Sequence, residues 1–239
     1  MKKSALYFTF STIVLVLMGV GYVVMQGGFS VFGDRTAEKE RSHNEKDMAA
    51  LYEVPQSDLK SNRYVKDMMP TKVGDYTVTS QGIRMTLEKD EKLDTSVDNG
   101  AMKYHVNRIQ VLKNEARTEQ AQSVVRKSMN VPDLSKNYTS AQIDYTVKNE
   151  SQRRVSSDGV TTVSYGYGNV MTPLGGLVNG GSVSADGINP GETQSGYVIV
   201  WIPKNAAQDF KQFSIEFAST YDETGQQISS KAPKTTVDF

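Results

Sequence analysis

Residues 197–202 read Tyr-Val-Ile-Val-Trp-Ile, an uninterrupted apolar stretch. Side chains alternate between the two faces of a β-strand, so a strand of this composition is apolar on both faces. We expect the face that carries Tyr197, Ile199 and Trp201 to pack in the main core. The opposite face, which carries the two valines and Ile202, then needs a cover of its own.

Other stretches of the chain alternate strictly between apolar and polar residues. Ile143, Tyr145 and Val147 are separated by polar residues, and 213–217 repeats the pattern. Such segments form half-buried antiparallel strands. Turn signals divide them, among them Asp98-Asn99-Gly100, Ser157-Asp158-Gly159, Asn189-Pro190-Gly191 and Glu223-Thr224-Gly225. Short strands divided by such turns predict an all-β fold, an antiparallel β-sandwich.

One segment has the composition of a helix instead. Residues 116–129 are rich in helix formers, end before Pro132 and place Ala121, Val124, Val125 and Met129 on one side. We expect this inserted helix to pack on the sandwich and to cover the second face of strand 197–202. Two other roles stay open: decoration of an edge loop, or an exposed apolar face that binds a partner.

The alternation of apolar residues changes phase at two points. Apolar positions are even-numbered before Gly82 and odd-numbered after it, and a second change follows Val106, near Asn107. A bulge or a strand break at each point would restore a single inward face.

The composition excludes several classes of protein. The 239 residues contain no cysteine, two histidines, and 27 basic against 27 acidic residues. Disulfide frameworks, zinc fingers, iron–sulfur sites and cysteine nucleophiles are therefore impossible. A net charge of zero gives no bulk attraction for nucleic acid. No pattern of residues indicates catalysis, a metal or another cofactor, and we expect none of these.

The N-terminal region has the features of a membrane anchor. Ala5–Met25 is a run of 21 residues without a charge, preceded by Lys2 and Lys3. At ~1.5 Å per residue a helix of this length spans about 30 Å, the hydrocarbon core of a bilayer. The run is longer than the apolar part of a signal peptide, so we favour a retained anchor over a cleaved leader. The lysines predict a single-pass protein of the cell membrane, with its N-terminus in the cytoplasm and its C-terminal domain outside the cell.

These features divide the chain into three regions. Residues 1–33 contain the cytoplasmic stub and the anchor. Residues 34–70 are predicted to form a charged juxtamembrane stalk, because nine of the fourteen residues 34–47 are charged and cannot build a core. Residues 71–239 are predicted to form the extracellular domain.

Several short motifs occur in an order that resembles a known family. They are Val147-Lys148-Asn149 at a strand end, the turn Asn189-Pro190-Gly191-Glu192, and Ile202-Pro203-Lys204 after the apolar strand. With VGDYTVTSQGI from Val73, they resemble an immunoglobulin-like extracellular domain of unknown function, found in Gram-positive lipoproteins and membrane-anchored surface proteins. The resemblance covers roughly residues 72–239, apart from the helical segment.

This resemblance implies an immunoglobulin-like sandwich at a bacterial cell surface, with a binding or accessory role and no catalytic residues. Members of the family usually carry a cysteine for attachment of lipid. This chain has no cysteine, so the segment Ala5–Met25 would be its tether.

A glycine-rich stretch is the most unusual local feature. Nine of the 19 glycines lie between Gly166 and Gly196. Tyrosine, asparagine and glycine on a loop of a sandwich make an adaptable contact surface. The residues predicted to bind a ligand or partner are Tyr165, Tyr167, Asn169 and Asn179. The alternative is a long, flexible connection between strands.

Together these features favour a membrane-anchored extracellular module that recognises a protein or a cell-envelope ligand and is not an enzyme. One alternative is a cell-envelope enzyme of the glycan-hydrolase type, which would need two carboxylates in a cleft. Another is a structural subunit of an envelope complex. In a further alternative, the helix in 116–129 or the anchor itself is the element that contacts a partner.

Overall fold

The computed structural model describes residues 52–166, 168–181, 187–207 and 210–239. The predicted anchor Ala5–Met25 and the first part of the predicted stalk lie outside these residues. In the ranges that are described, no helix has the length and apolar character needed to cross a membrane.

The described part of the chain contains two helices and thirteen strands. In chain order these are α1 (Gln56–Leu59), β1 (Tyr76–Val78), β2 (Ile83–Asp98), β3 (Met102–Ala116), α2 (Glu119–Ser128), β4 (Asn137–Asn149), β5 (Val155–Ser157), β6 (Val160–Tyr165), β7 (Asn169–Met171), β8 (Leu177–Gly181), β9 (Thr193–Ile202), β10 (Gln212–Phe217), β11 (Thr220–Asp222), β12 (Gln227–Ser229) and β13 (Thr235–Asp238). The strands form three sheets, in the orders β1-β2-β3-β4-β9-β8, β13-β10-β6-β7 and β12-β11-β5. These strands pair antiparallel throughout.

The six-stranded and four-stranded sheets share one hydrophobic core. At its centre Tyr104 of the larger sheet stacks on Phe217 of the smaller one, with ring centroids 3.9 Å apart. Tyr145 meets the same phenylalanine ring edge to face at 5.1 Å. Two antiparallel sheets that bury a common core form a sandwich. The predicted all-β antiparallel fold is therefore confirmed.

Strand β9 is buried on both faces, as predicted, but the two faces are exchanged. Val198 and Val200 lie in the main core, whereas Ile199 packs against the residues around α2. Trp201, which was predicted to lie near the centre of the main core, is half-buried and contacts both clusters. The neighbouring strand decides the orientation: Val200 is in register with Ala141, a fully buried core residue of β4.

The predicted helix is confirmed as α2. It begins where it does because the Thr118 hydroxyl accepts a hydrogen bond of 3.0 Å from the backbone N–H of Ala121, an N-cap interaction. Arg126 and Lys127 lie in its last turn, where positive charge is favourable. Ala121 and Val125 are buried against the outer face of the six-stranded sheet, the face turned away from the main core. The predicted packing of this helix on the sandwich is also confirmed.

Both predicted changes of strand phase are confirmed. Gly82, with φ of 86°, closes a tight turn between β1 and β2, and its N–H donates to the carbonyl of Thr79 at 2.9 Å. In β3 the register against β4 shifts between Val106 and Arg108, around Asn107. This irregularity returns Ile109 and Val111 to the side of the main core.

The folded domain begins earlier than predicted. The sequence predicts residues 52–70 to belong to the stalk, but they pack on the six-stranded sheet. Asp58 is buried and forms an ion pair with Arg117, while Met69 is buried against two leucines of β2 and β3. The predicted boundary after residue 70 is therefore wrong. The ion pair that holds this segment on the domain joins residues 59 positions apart in the sequence. No local sequence pattern reveals such a contact.

Candidate functional site

Tyr165, predicted from sequence to lie on a contact surface, is a core residue. It is the last residue of β6 and is buried. Its ring packs edge to face on Phe210 at 4.9 Å, and its hydroxyl donates to the backbone carbonyl of Trp201. This burial raises the pKa of the Tyr165 hydroxyl. The prediction is corrected for this residue, because the strand continues one position further than its loop-like composition suggests.

The side chain of Asn179 also has a structural role. Its side-chain oxygen accepts a hydrogen bond of 2.9 Å from the N–H of Val160, and its amide nitrogen donates to the carbonyl of the same residue at 2.8 Å. Asn179 lies on β8 of the larger sheet and Val160 on β6 of the smaller one. The side chain therefore joins the two sheets, and its predicted role as a contact residue stays a prediction.

We expect Asn179→Ala to lower the free energy of unfolding by about 2 kcal/mol, because it leaves the polar backbone of buried Val160 without partners. The measurement is denaturant unfolding of the full chain in detergent. Asn205→Ala, at an exposed asparagine, is the matched control and should change stability by less than about 0.5 kcal/mol. Equal effects of the two variants would contradict the joining role of Asn179.

The other two predicted residues lie at the hairpin between β6 and β7. Asn169 is half-buried and opens β7, while Tyr167 lies outside the described residues. The flanking Gly166 and Gly168 both have positive φ, 55° and 84°, which makes this reversal tight. Among the described strands, β7 pairs with β6 alone and forms an edge of the four-stranded sheet.

This edge presents two apolar side chains to solvent. Val170 is 56% exposed and Leu174 is 85% exposed. Leu174 stands in a turn in which Thr172 and Gly175 exchange backbone hydrogen bonds of 3.1 and 2.8 Å. Asn130, two residues after the end of α2, donates from its side chain to the Leu174 carbonyl at 2.5 Å. We call Asn169, Val170 and Leu174, with this turn, the β7 edge.

The glycine-rich composition draws attention to this segment but does not show which of its side chains are exposed. The sequence pointed to the tyrosines, whereas the exposed apolar side chains are Val170 and, in the turn Pro173-Leu174-Gly175, Leu174. The signal in the sequence was a leucine between proline and glycine. Proline and glycine at these positions predict a turn, and connecting segments usually lie at the surface.

An apolar groove lies at another part of the surface, between residues 52–70 and β1. Its volume is about 250 Å³. Its apolar lining includes Tyr52, Val54, Leu59, Tyr64, Met68 and Val78. A smaller cavity of about 100 Å³ under α2 shares part of this lining, including Met69 and Met85. The domain therefore exposes apolar surface at both the β7 edge and this groove.

A charged cluster lies on the outer face of the six-stranded sheet. Arg108 donates to both carboxylate oxygens of Asp90, at 2.6 and 2.5 Å. Asp144 is in register with Arg108 on β4, and burial raises its pKa although Gln142 donates a hydrogen bond to it at 2.7 Å. The guanidinium therefore engages Asp90 through both of its carboxylate oxygens. Within the described ranges, no three His, Asp or Glu side chains form a group that could hold a metal ion.

Comparison with known proteins gives little beyond these observations. No protein-family model matches the chain, and no curated protein matches it significantly. A functionally unknown protein from Listeria monocytogenes EGD-e has a crystal structure that aligns with 65% of this chain and 86% of its own, at 14% identity and a TM-score of 0.41.

Proposed function

We propose that the protein is a membrane-anchored recognition module with a binding or accessory role and no catalysis. The segment Ala5–Met25 would hold an immunoglobulin-like sandwich outside a bacterial cell. The β7 edge would then contact a protein of the cell envelope. The observation that carries this proposal is the 85% exposure of Leu174 on a turn that is held by hydrogen bonds on both sides.

A fixed apolar side chain suits recognition for an energetic reason. Binding costs free energy when loops must be ordered, and a turn that is already closed avoids that cost. Burying an exposed leucine or valine in a partner gains about 1.5–3 kcal/mol. A few such anchors carry most of the affinity in many interfaces. Val170 lies on the neighbouring edge strand, so one partner surface could cover both side chains.

The absence of cysteine offers a direct test. Asn169→Cys introduces a single thiol beside the exposed side chains, which a membrane-impermeant photoactivatable maleimide can label on intact cells. We expect labelling without lysis, followed on illumination by a discrete covalent adduct with one partner. Leu174→Ser combined with Val170→Ser should reduce the adduct about tenfold, because two apolar anchors are lost.

The matched control is Ile228→Ser, which removes an exposed apolar side chain from β12, in a different sheet. It should leave the adduct unchanged. An adduct that survives the double substitution, or that falls equally in the control, would contradict the role of the β7 edge. Labelling only after lysis would contradict the proposed location outside the cell.

A further inference from the structure

The main-core face of β2, β3 and β4 becomes polar near one end of these strands. Lys113 and Glu115 of β3 have the same parity as Ile109, so they point to the same side of the sheet. In register beside them lie Arg84 of β2 and Thr139 of β4. These side chains are exposed or half-buried, so this end of the sheet is a solvent-facing floor.

Two adjoining depressions form on this floor. One, of about 440 Å³, is lined by Arg84, Lys113 and Lys204; the other, of about 410 Å³, by Arg84, Arg117 and Lys136. Arg84 and Glu115 line both. We call these two depressions together the basic groove. Its five cationic side chains are Arg84, Lys113, Arg117, Lys136 and Lys204.

Part of this positive charge is already neutralised. Arg117 pairs with Asp58, and its Nε lies 3.5 Å from a Glu115 oxygen. Lys113 pairs with Glu88 at 2.6 Å, but both side chains are substantially exposed, and such pairs contribute little free energy. The other three cations, Arg84, Lys136 and Lys204, form no ion pair with any described residue.

Arg84 is held in place by an aromatic ring. Its guanidinium carbon lies 3.7 Å from the ring centroid of Tyr76. The Tyr76 hydroxyl in turn donates to Asp58 at 2.9 Å. A stacked guanidinium keeps its planar set of N–H donors, which matches the oxygens of a phosphate group. Because Arg84 lines both depressions, it stands where a bound anion would be shared between them.

We propose that the basic groove binds phosphate groups, as the headgroups of anionic phospholipids present them. We take lipid as the source because the proposed anchor would keep the groove within reach of a bilayer. Tyr52 lines the groove. Only residues 26–51 separate it from the end of the predicted anchor, and even fully extended they reach about 90 Å. The lipid source therefore rests on the proposed anchorage, whereas the cationic lining does not.

The experiment uses the full chain in nanodiscs of phosphatidylcholine, with or without one quarter phosphatidylglycerol. Reactivity of Lys136 and Lys204 with an acetylating reagent is measured by mass spectrometry. We expect both lysines to react about fivefold more slowly in the anionic discs, as a site about four-fifths occupied would give. High salt should remove this protection. Lys103 and Lys127, exposed lysines outside the groove, should react equally in both discs.

Substitutions that remove positive charge distinguish binding at a defined site from a general effect of the net charge. Lys204→Gln and Arg84→Gln together should abolish protection of Lys136, whereas Lys103→Gln with Lys127→Gln, which removes the same charge, should not. Because Arg84 also packs on Tyr76, Lys204→Gln alone, at an exposed position, is the variant that leaves the fold intact. It should reduce the protection of Lys136 at least twofold.

The remaining arms separate the possible sources of phosphate and test the anchor independently. Soluble glycerophosphoglycerol added to phosphatidylcholine discs should protect both lysines only at much higher concentration. Protection by this free ester but not by anionic discs would overturn the lipid source. Equal reactivity in all conditions, or equal protection by poly-glutamate, would overturn the phosphate site. Co-elution of the chain with phosphatidylcholine discs tests the anchor, so a failure of anchorage is distinguishable from a failure of the groove.

Discussion

Phe217→Ala is expected to lower the free energy of unfolding by about 4 kcal/mol, the typical cost of emptying a fully buried aromatic site. Phe217 is inaccessible to solvent. Its ring stacks on Tyr104 and meets Tyr145 edge to face. The substitution removes both ring contacts and leaves a cavity between the two sheets. Because no disulfide can hold the domain together, its stability depends on this core.

Unfolding of the full chain in detergent, followed by the fluorescence of its single tryptophan, measures this effect. Phe217→Leu keeps most of the volume and should cost less than half as much. Val73→Ala, at an exposed apolar residue, should change stability by less than about 0.5 kcal/mol. A loss below about 1 kcal/mol for Phe217→Ala would mean that the two sheets do not depend on this contact.

Asp58→Ala is expected to cost about 3 kcal/mol, because it leaves Arg117 largely buried without its main partner. The two side chains are 9% and 15% exposed. The Arg117 guanidinium and the Tyr76 hydroxyl both donate hydrogen bonds to Asp58. These contacts hold the pKa of Asp58 below its ordinary value, although burial alone would raise it.

The direction of this pKa shift predicts the pH dependence of stability. A carboxylate with a lowered folded-state pKa contributes stability that is fully present above its unfolded pKa, about 3.9. This contribution is lost as the pH falls through the lower folded value. The stability of the wild type should therefore fall more steeply than that of Asp58→Ala below about pH 4. Glu53→Ala, at an exposed carboxylate of the same segment, should match the wild type at every pH. Parallel curves for the wild type and Asp58→Ala would contradict the ion pair.

The strands, the inserted helix and both breaks in strand phase were predictable because each depends on neighbours along the chain. The helix needs only a cap and an apolar side, and the change of phase at Gly82 is visible in the parity of its neighbours. The orientation of β9 was not predictable in this way. A strand that is apolar on both faces has no preferred inner face until β4 lies beside it.

The candidate site also has features that the local sequence predicts and features that depend on the tertiary structure. Glycine-rich composition located the segment that contains the β7 edge. Which of its residues are exposed depended on contacts from distant parts of the chain. Tyr165 packs inward on Phe210. Asn179 forms hydrogen bonds with the backbone of Val160, and Leu174 is exposed to solvent. A polar or aromatic residue in a loop-like sequence can be recruited to the core by partners that the local sequence does not contain.

The amino-acid sequence by itself determined the all-β class, the place of the inserted helix and the absence of any cysteine chemistry, because alternation, capping and composition act locally. Only the tertiary structure decided that residues 52–70 belong to the domain, which face of β9 is inner, and where the cations of the basic groove meet. Each of these depends on contacts between residues far apart in sequence. The ion pair of Asp58 with Arg117, which are 59 positions apart, shows the reason. A charged residue is predicted to be solvent-exposed from the local sequence, because its partner in an ion pair is known only from the fold.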